Sequence, residues 1–199
     1  MNSQFLSAVK ARRTFYGISK ETVITDEQLQ QLIQEAVKHT PSAFNSQSAR
    51  VVLLLGQQHD KLWNLTKEAL KKVVPASNFA ATEEKINSFQ AGYASLLFLE
   101  DMTVVENLQK SYPLYKDNFP LWSLQSSGMV QHVIWTALEE AGYGASLQHY
   151  NPLIDESVKS EWNLPPEWKL LAQMPFGKPS AQPPDKEFLP ITERVRVFK

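Results

Sequence analysis

Apolar positions along this chain change period several times, and each change marks a predicted element. Phe5 and Val9 among polar neighbours predict a short first helix that ends near Arg12-Arg13. Thr25-Asp-Glu-Gln28 has the spacing of a capping box, in which two side chains satisfy backbone N–H groups of the first turn. Leu29, Leu32, Ile33, Ala36 and Val37 then recur at helical spacing until Pro41 stops the helix. Residues 51–55 are a continuous apolar run and 50–55 reads as a short strand, which predicts burial on both faces. Leu62, Trp63, Leu65, Ala69 and Leu70 mark another helix, closing near Pro75. Residues 82–90 read as helix, 94–99 as a second buried strand, and Val104, Val105 and Leu108 as a brief helix.

Residues 112–122 are rich in aromatics and interrupted by Pro113 and Pro120, which suits either a lid or a loop with a helical turn. The longest helical pattern covers 126–141, through Met129, Val130, Val133, Ile134, Ala137 and Leu138, with Gly142 and Gly144 to end it. A further helix runs from Asn151 toward Trp162 and breaks at Pro165-Pro166; residues 170–174 read as a third strand. In the tail, 188–198, Arg194 and Arg196 alternate with Val195 and Val197. That strand pattern follows an excursion through Pro179, Pro183 and Pro184 long enough to reach a neighbouring subunit. Helices alternating with a few buried strands predict an α/β or α+β sandwich. No repeat or linker divides the chain, so 1–199 is expected to be a single domain or one protomer of an intimate oligomer.

Composition narrows the function. A net charge of -1 argues against a dedicated nucleic-acid binder, though it leaves room for a local basic site. With no cysteine, disulfides, thiolate nucleophiles and Cys-ligated metal centres are excluded. His39, His59, His132 and His149 lack paired ligand spacing, so no metal site is expected. Residues 1–10 lack the apolar segment of a signal peptide, and no run approaches ~18 apolar residues. A soluble, cytoplasmic protein without membrane contact is the expectation. No G-x-S-x-G elbow supports hydrolase chemistry, and the adjacent Glu139-Glu140 pair points in different directions on a helix.

Two polar clusters remain. Arg12 and Arg13 can hold phosphate oxygens through charge-assisted hydrogen bonds, with Thr14 adding a hydroxyl. The same arginines also suit a solvated helix C-terminus, which favours cations. Ser42, Asn45, Ser46 and Gln47 crowd amides and hydroxyls into a bend just before a strand, where they serve either as turn formers or as a ligand grip. Together the clusters suggest a phosphorylated ring cofactor, with flavin mononucleotide (FMN) the first candidate. Gly142-Tyr-Gly-Ala-Ser-Leu147 is not a dinucleotide fingerprint, because Leu147 replaces the third glycine and a helix precedes it. His149 could be a general base, but a lone histidine without a placed partner is more often structural or peripheral. Tyr112, Tyr115, Phe119 and Trp122 suit a pocket for planar molecules or ordinary packing.

In order, Lys10-Ala-Arg-Arg-Thr14, Thr40-Pro-Ser-Ala-Phe-Asn-Ser-Gln47, Trp63, Gly144-Ala-Ser-Leu-Gln-His-Tyr-Asn151 and Met174-Pro-Phe-Gly177 span nearly the whole chain. This set resembles the FMN-dependent nitroreductase family, and within it the compact branch of fungal fatty-acid-repression and bacterial copper-induced nitroreductases. The resemblance implies a nitroreductase-like fold, a small central sheet flanked by helices, in a homodimer that holds FMN at its interface and exchanges C-terminal extensions. It implies that Arg12, Arg13 and Thr14 hold the phosphate and ribityl region, helped by Arg194 (or Arg196) from the tail. Ser42, Asn45 and Gln47 would meet the ribityl chain or pyrimidine edge, and Gln148 and His149 would supply a backbone amide near flavin N5. Tyr16 stands where many relatives carry another basic residue. The implied activity is reduction of nitroaromatics or quinones by NADH or NADPH in a ping-pong cycle, with no catalytic side chain. The alternative is a flavin-binding sensor of lipid or stress response, with incidental turnover.

Overall fold

The computed structural model describes residues 3–199. Its first helix, α1 (Gln4–Ala11), ends as expected at Arg12, whose backbone N–H returns to the Ala8 carbonyl at 3.0 Å. Helix α2 (Asp26–His39) starts with the capping box: Gln28 N–H donates to Thr25 Oγ1 at 3.2 Å, and Thr25 N–H to Gln28 Oε1 at 3.0 Å. Strand β2 (Ala49–Leu55), helices α3 (Gln57–Lys71) and α4 (Phe79–Gln90), strand β3 (Ala94–Asp101) and helix α5 (Met102–Ser111) follow. Helix α6 (Phe119–Glu140) is the longest. It closes in a Schellman turn: Gly142, at φ 94°, donates to the Glu139 carbonyl, and Tyr143 donates to that of Leu138.

Two short strands, β1 (Ile18–Ser19) and β4 (Gly144–Ala145), escaped the sequence pattern because two residues carry no periodicity. Helix α7 (Asp155–Glu161) starts later than Asn151, and strand β5 (Trp168–Pro179) extends well beyond 170–174. The sheet order is β1-β5-β3-β2, with β4 also on β5, and all its ladders are antiparallel.

Alternate residues of β3 build the two halves of the interior. Leu96 and Phe98 pack with Ile33 of α2, Ile134 and Leu138 of α6 and Met174 of β5. Leu97 and Leu99 pack with Trp63 of α3, Phe89 of α4 and Val158 of α7. Each fully buried side chain of this size stabilises the fold by ~1.5–3 kcal/mol relative to exposure. Helices therefore cover both faces, the nitroreductase-like arrangement expected.

Two expectations need correction. β2 is not buried on both faces: it is the edge strand, and only Leu54 is fully buried. Of the two alternatives for the aromatic stretch, the loop with a helical turn is found, a 3-10 turn (Pro113–Tyr115) followed by the first turn of α6, where Pro120 is tolerated because N-terminal helix N–H groups lack intrahelical partners. The tail is not a strand. It holds one 3-10 turn (Ile191–Glu193), and its alternating residues are exposed with no sheet edge beside them. No helix among the described residues is long and apolar enough to cross a membrane.

Candidate functional site

Residues 12–15 leave α1 and are fastened to the sheet by their backbone. Thr14 forms a parallel bridge with Ala145, and Phe15 N–H donates to the Ala145 carbonyl at 2.9 Å. Gly144 permits this approach, since a Cβ there would lie 2.6 Å from Cγ of the Phe15 ring. β4 in turn pairs with Phe176 and Gly177 of β5, so the arginine segment rests on the rigid core. Three residues beyond Ala145, Gln148 exchanges both backbone hydrogen bonds with Gln173, at 2.7 and 2.9 Å. Its buried side chain donates to Ser146 Oγ at 3.0 Å. Arg12–Thr14 and Gln148–His149 thus flank one short strand.

The Arg12 guanidinium lies 4.4 Å from the centre of the Trp135 ring on α6, a cation–π contact. Burial lowers its pKa, opposed by the nearby Glu139 carboxylate, with Arg13 lowering it further; the group remains charged. Burial likewise raises the Glu139 pKa. Among the described residues, Trp135 Nε1 and Glu139 Oε2 are both buried without a hydrogen-bond partner. Arg13 donates to the Pro184 carbonyl, and residues 181–187 close a cavity of about 620 Å³ against residues 12–17. Tyr16 is exposed at this cavity.

The bend lies elsewhere. Phe44, Asn45 and Gln47 all take positive φ (56°, 51° and 50°), a dense run of left-handed non-glycine residues. Such strain persists only where surrounding bonds over-determine it. Here Ser42 Oγ accepts from Gln47 N–H at 2.9 Å, and Ala43 N–H donates to Ser126 Oγ of α6 at 3.3 Å. Arg50 holds the far end, bonding the Gln47 carbonyl and Asp101 Oδ2, each at 2.8 Å. Asn45 and Gln47 are exposed. The Phe44 ring, 52% exposed, stacks on Trp122 and meets Phe119 edge-on beside a cavity of about 410 Å³.

Within one chain the clusters do not converge. Trp135 follows Ser126 by nine residues on α6, which at ~1.5 Å and ~100° per residue puts them about 14 Å apart on opposite faces. Arg194 follows the tail turn, exposed, and no hydrogen bond or ion pair among the described residues ties it to either cluster. The His149 imidazole is exposed, and its backbone N–H has no partner among the described residues, whereas that of Gln148 is taken. Sequence reasoning missed Trp135, Glu139 and the 181–187 cover. Only the i, i+4 spacing of Trp135 and Glu139 was readable as one helix face.

Residues 9–178 match the Nitroreductase family profile, and the chain belongs to that family of oxidoreductases. HBN1 of Saccharomyces cerevisiae is 34% identical over 196 residues, covering 98% of this chain and 96% of its own. Nitroreductase CinD from Lactococcus lactis, solved in complex with chloramphenicol, superposes with a TM-score of 0.91 at 43% identity, over 98% of this chain and 100% of that one. These relatives agree with the compact branch the motifs resemble. A nitroreductase with bound FMN from Desulfitobacterium hafniense shares the fold, with a TM-score of 0.73 at 17% identity over 100% of both chains.

Proposed function

We propose that this chain is an FMN-dependent NAD(P)H oxidoreductase that reduces nitroaromatics or quinones as a homodimer. The observation that carries the reading is the cavity edged by Arg12, Arg13 and Thr14, with the Arg12 guanidinium stacked on the Trp135 ring. Two guanidiniums and a hydroxyl fit a phosphate ester. FMN in the D. hafniense protein and chloramphenicol in CinD support the choice of cofactor and acceptor class.

The separation across α6 supports a shared site. A two-fold dimer removes the 14 Å separation estimated from helix geometry if each cofactor meets the arginines of one chain and the bend of its partner. Exposed apolar residues on α6 (Leu121, Leu124) and in the tail (Phe188, Val197, Phe198) suit burial in that interface and in exchanged tails. The Arg12 and Arg13 guanidiniums and the Thr14 hydroxyl hold phosphate; Arg194 reaches it from the partner's tail. Asn45 and Gln47 present amides to the ribityl chain and pyrimidine edge from a bend braced by Ser42. The free His149 N–H, more than its imidazole or Gln148, is the amide offered to the ring. Bound FMN would supply the redox chemistry, two-electron transfer from NADH or NADPH to the acceptor in a ping-pong cycle.

The test is the absorption spectrum and solution size of the purified protein, then oxidation of NADH and NADPH with 4-nitrophenol or a benzoquinone. A yellow dimer turning over far faster than free FMN is expected. Turnover no faster than free FMN favours a flavin-binding regulator, and a colourless monomer that ignores added FMN overturns the reading.

A further inference from the structure

Glu100, near the end of β3, is only 1% exposed. Neither of its carboxyl oxygens has a hydrogen-bond partner in good geometry among the described residues. A buried carboxylate left this way costs several kcal/mol, about enough to keep the group protonated instead. Its position identifies what it serves. Its cross-strand neighbour on β2 is Ala49, directly after Ser48, where the bend joins the sheet. The buried Ser48 hydroxyl lies beside the carboxyl and within 3.4 Å of Ser46 Oγ. The Ser48 carbonyl accepts from Asp101 N–H at 3.0 Å. A strained bend therefore ends on two hydroxyls set over an acid with nothing else to bond.

The charged groups around it do not explain its presence. Arg50 of β2 is spent on Asp101 at 2.8 Å, and Lys169, opposite on β5, is exposed. The first half of α6 buries Phe119, Ser123, Ser126, Ser127 and Val130, and α5 buries only Val105. Burial is the largest influence on the carboxyl and raises its pKa; Ser48 and then Arg50 lower it, and Asp101 adds to the rise.

We propose that Glu100 is a positioning residue for the 42–48 bend: as an uncharged acid its carboxyl turns to donate to Ser48 Oγ, which donates on to Ser46 Oγ, and its ionisation loosens the bend's grip on the cofactor. A carboxylate only accepts, so on ionisation the Ser48 proton turns inward and the Ser46 link is lost. The cofactor half of this proposal rests on the FMN reading above; the loop half does not.

Both halves are tested by comparing wild type with Glu100→Gln, which keeps a neutral donor at every pH, from neutral to alkaline solution. In the unloaded protein, hydrogen exchange of backbone amides 42–48, corrected for intrinsic rates, should quicken with pH in wild type and stay flat in the variant. In FMN titrations read by flavin fluorescence, wild-type affinity should fall about tenfold more than that of the variant, roughly the coupling of one hydrogen bond to a charged group. Ser48→Ala, which breaks the chain without touching the acid, should weaken FMN at neutral pH and flatten its pH dependence. Equal pH dependence in wild type and Glu100→Gln, in exchange and in binding, overturns the proposal. If no protein binds FMN but exchange responds as described, the cofactor reading fails and the positioning role stands.

Discussion

At the scale of single residues, polar contact and close packing are concentrated between positions 12 and 15. Replacing Arg12 and Arg13 together with Ala removes two charge-assisted partners of a phosphate. FMN affinity measured by fluorescence titration should fall at least a hundredfold, with riboflavin, which lacks the phosphate, affected much less. Equal loss for both ligands would remove the arginines from the phosphate. Gly144 is the counterpart in packing. Its missing Cβ is the space that the Phe15 ring fills, at 2.6 Å from where that atom would stand. Gly144→Ala should lower stability by about 1–3 kcal/mol in urea unfolding, as overpacking of a close-packed core does. It should also shift the arginine segment, so FMN affinity falls with stability.

At the scale of elements, α3, α4 and β3 are joined by a small polar network inside the second half of the core. Trp63 Nε1 donates to Ser95 Oγ at 3.0 Å, and Ser95 Oγ stands 2.9 Å from His59 Nδ1. His59 Nε2 lies 3.2 Å from the Gln90 carbonyl, which only accepts. The proton is therefore assigned to Nε2, Ser95 donates to Nδ1, and the ring is neutral. Burial is the main cause that lowers its pKa below the ordinary 6.5, against smaller upward influences from Gln90 and Asp60. The folded protein then binds fewer protons than the unfolded chain, so stability is full above 6.5 and falls as pH drops toward the lowered folded value. The slope approaches about 1.4 kcal/mol per pH unit for this one group. Thermal unfolding across mildly acid pH should show that loss, and His59→Gln should flatten it; an unchanged acid limb would place the sensitivity elsewhere. The same elements show how sequence pattern works at this scale. The capping box at Thr25 and the Gly142 stop were legible because each is local chemistry of a few residues. The edge position of β2 was not, because an apolar run carries no information about how many neighbours it will find.

At the scale of the whole molecule, the tail is the main departure from expectation. Val195 and Val197 alternate with arginines, yet no strand forms, since alternation makes a strand only where an edge is open to pair with. Phe198 is 90% exposed. Under the dimer proposal these residues find their cover on a second chain. Removing residues 188–199 should therefore leave the sheet and its circular dichroism intact while shifting the protein toward monomer in analytical ultracentrifugation and weakening FMN. A truncated chain that stays dimeric would assign the interface to α6 alone.

The sequence alone settled what depends on neighbours in the chain: helix caps, helix periods, the buried strand at 94–99, the polar bend and the arginine pair, and through their order the family. Tertiary structure decided what depends on distant neighbours. It set the two-residue strand that carries Thr14 to the sheet, the stacking of Arg12 on Trp135, and the cover over the arginines. It also put the two candidate binding clusters on opposite faces of one helix. Those outcomes turn on which surfaces meet after folding, a property of the packed chain that no local spacing encodes.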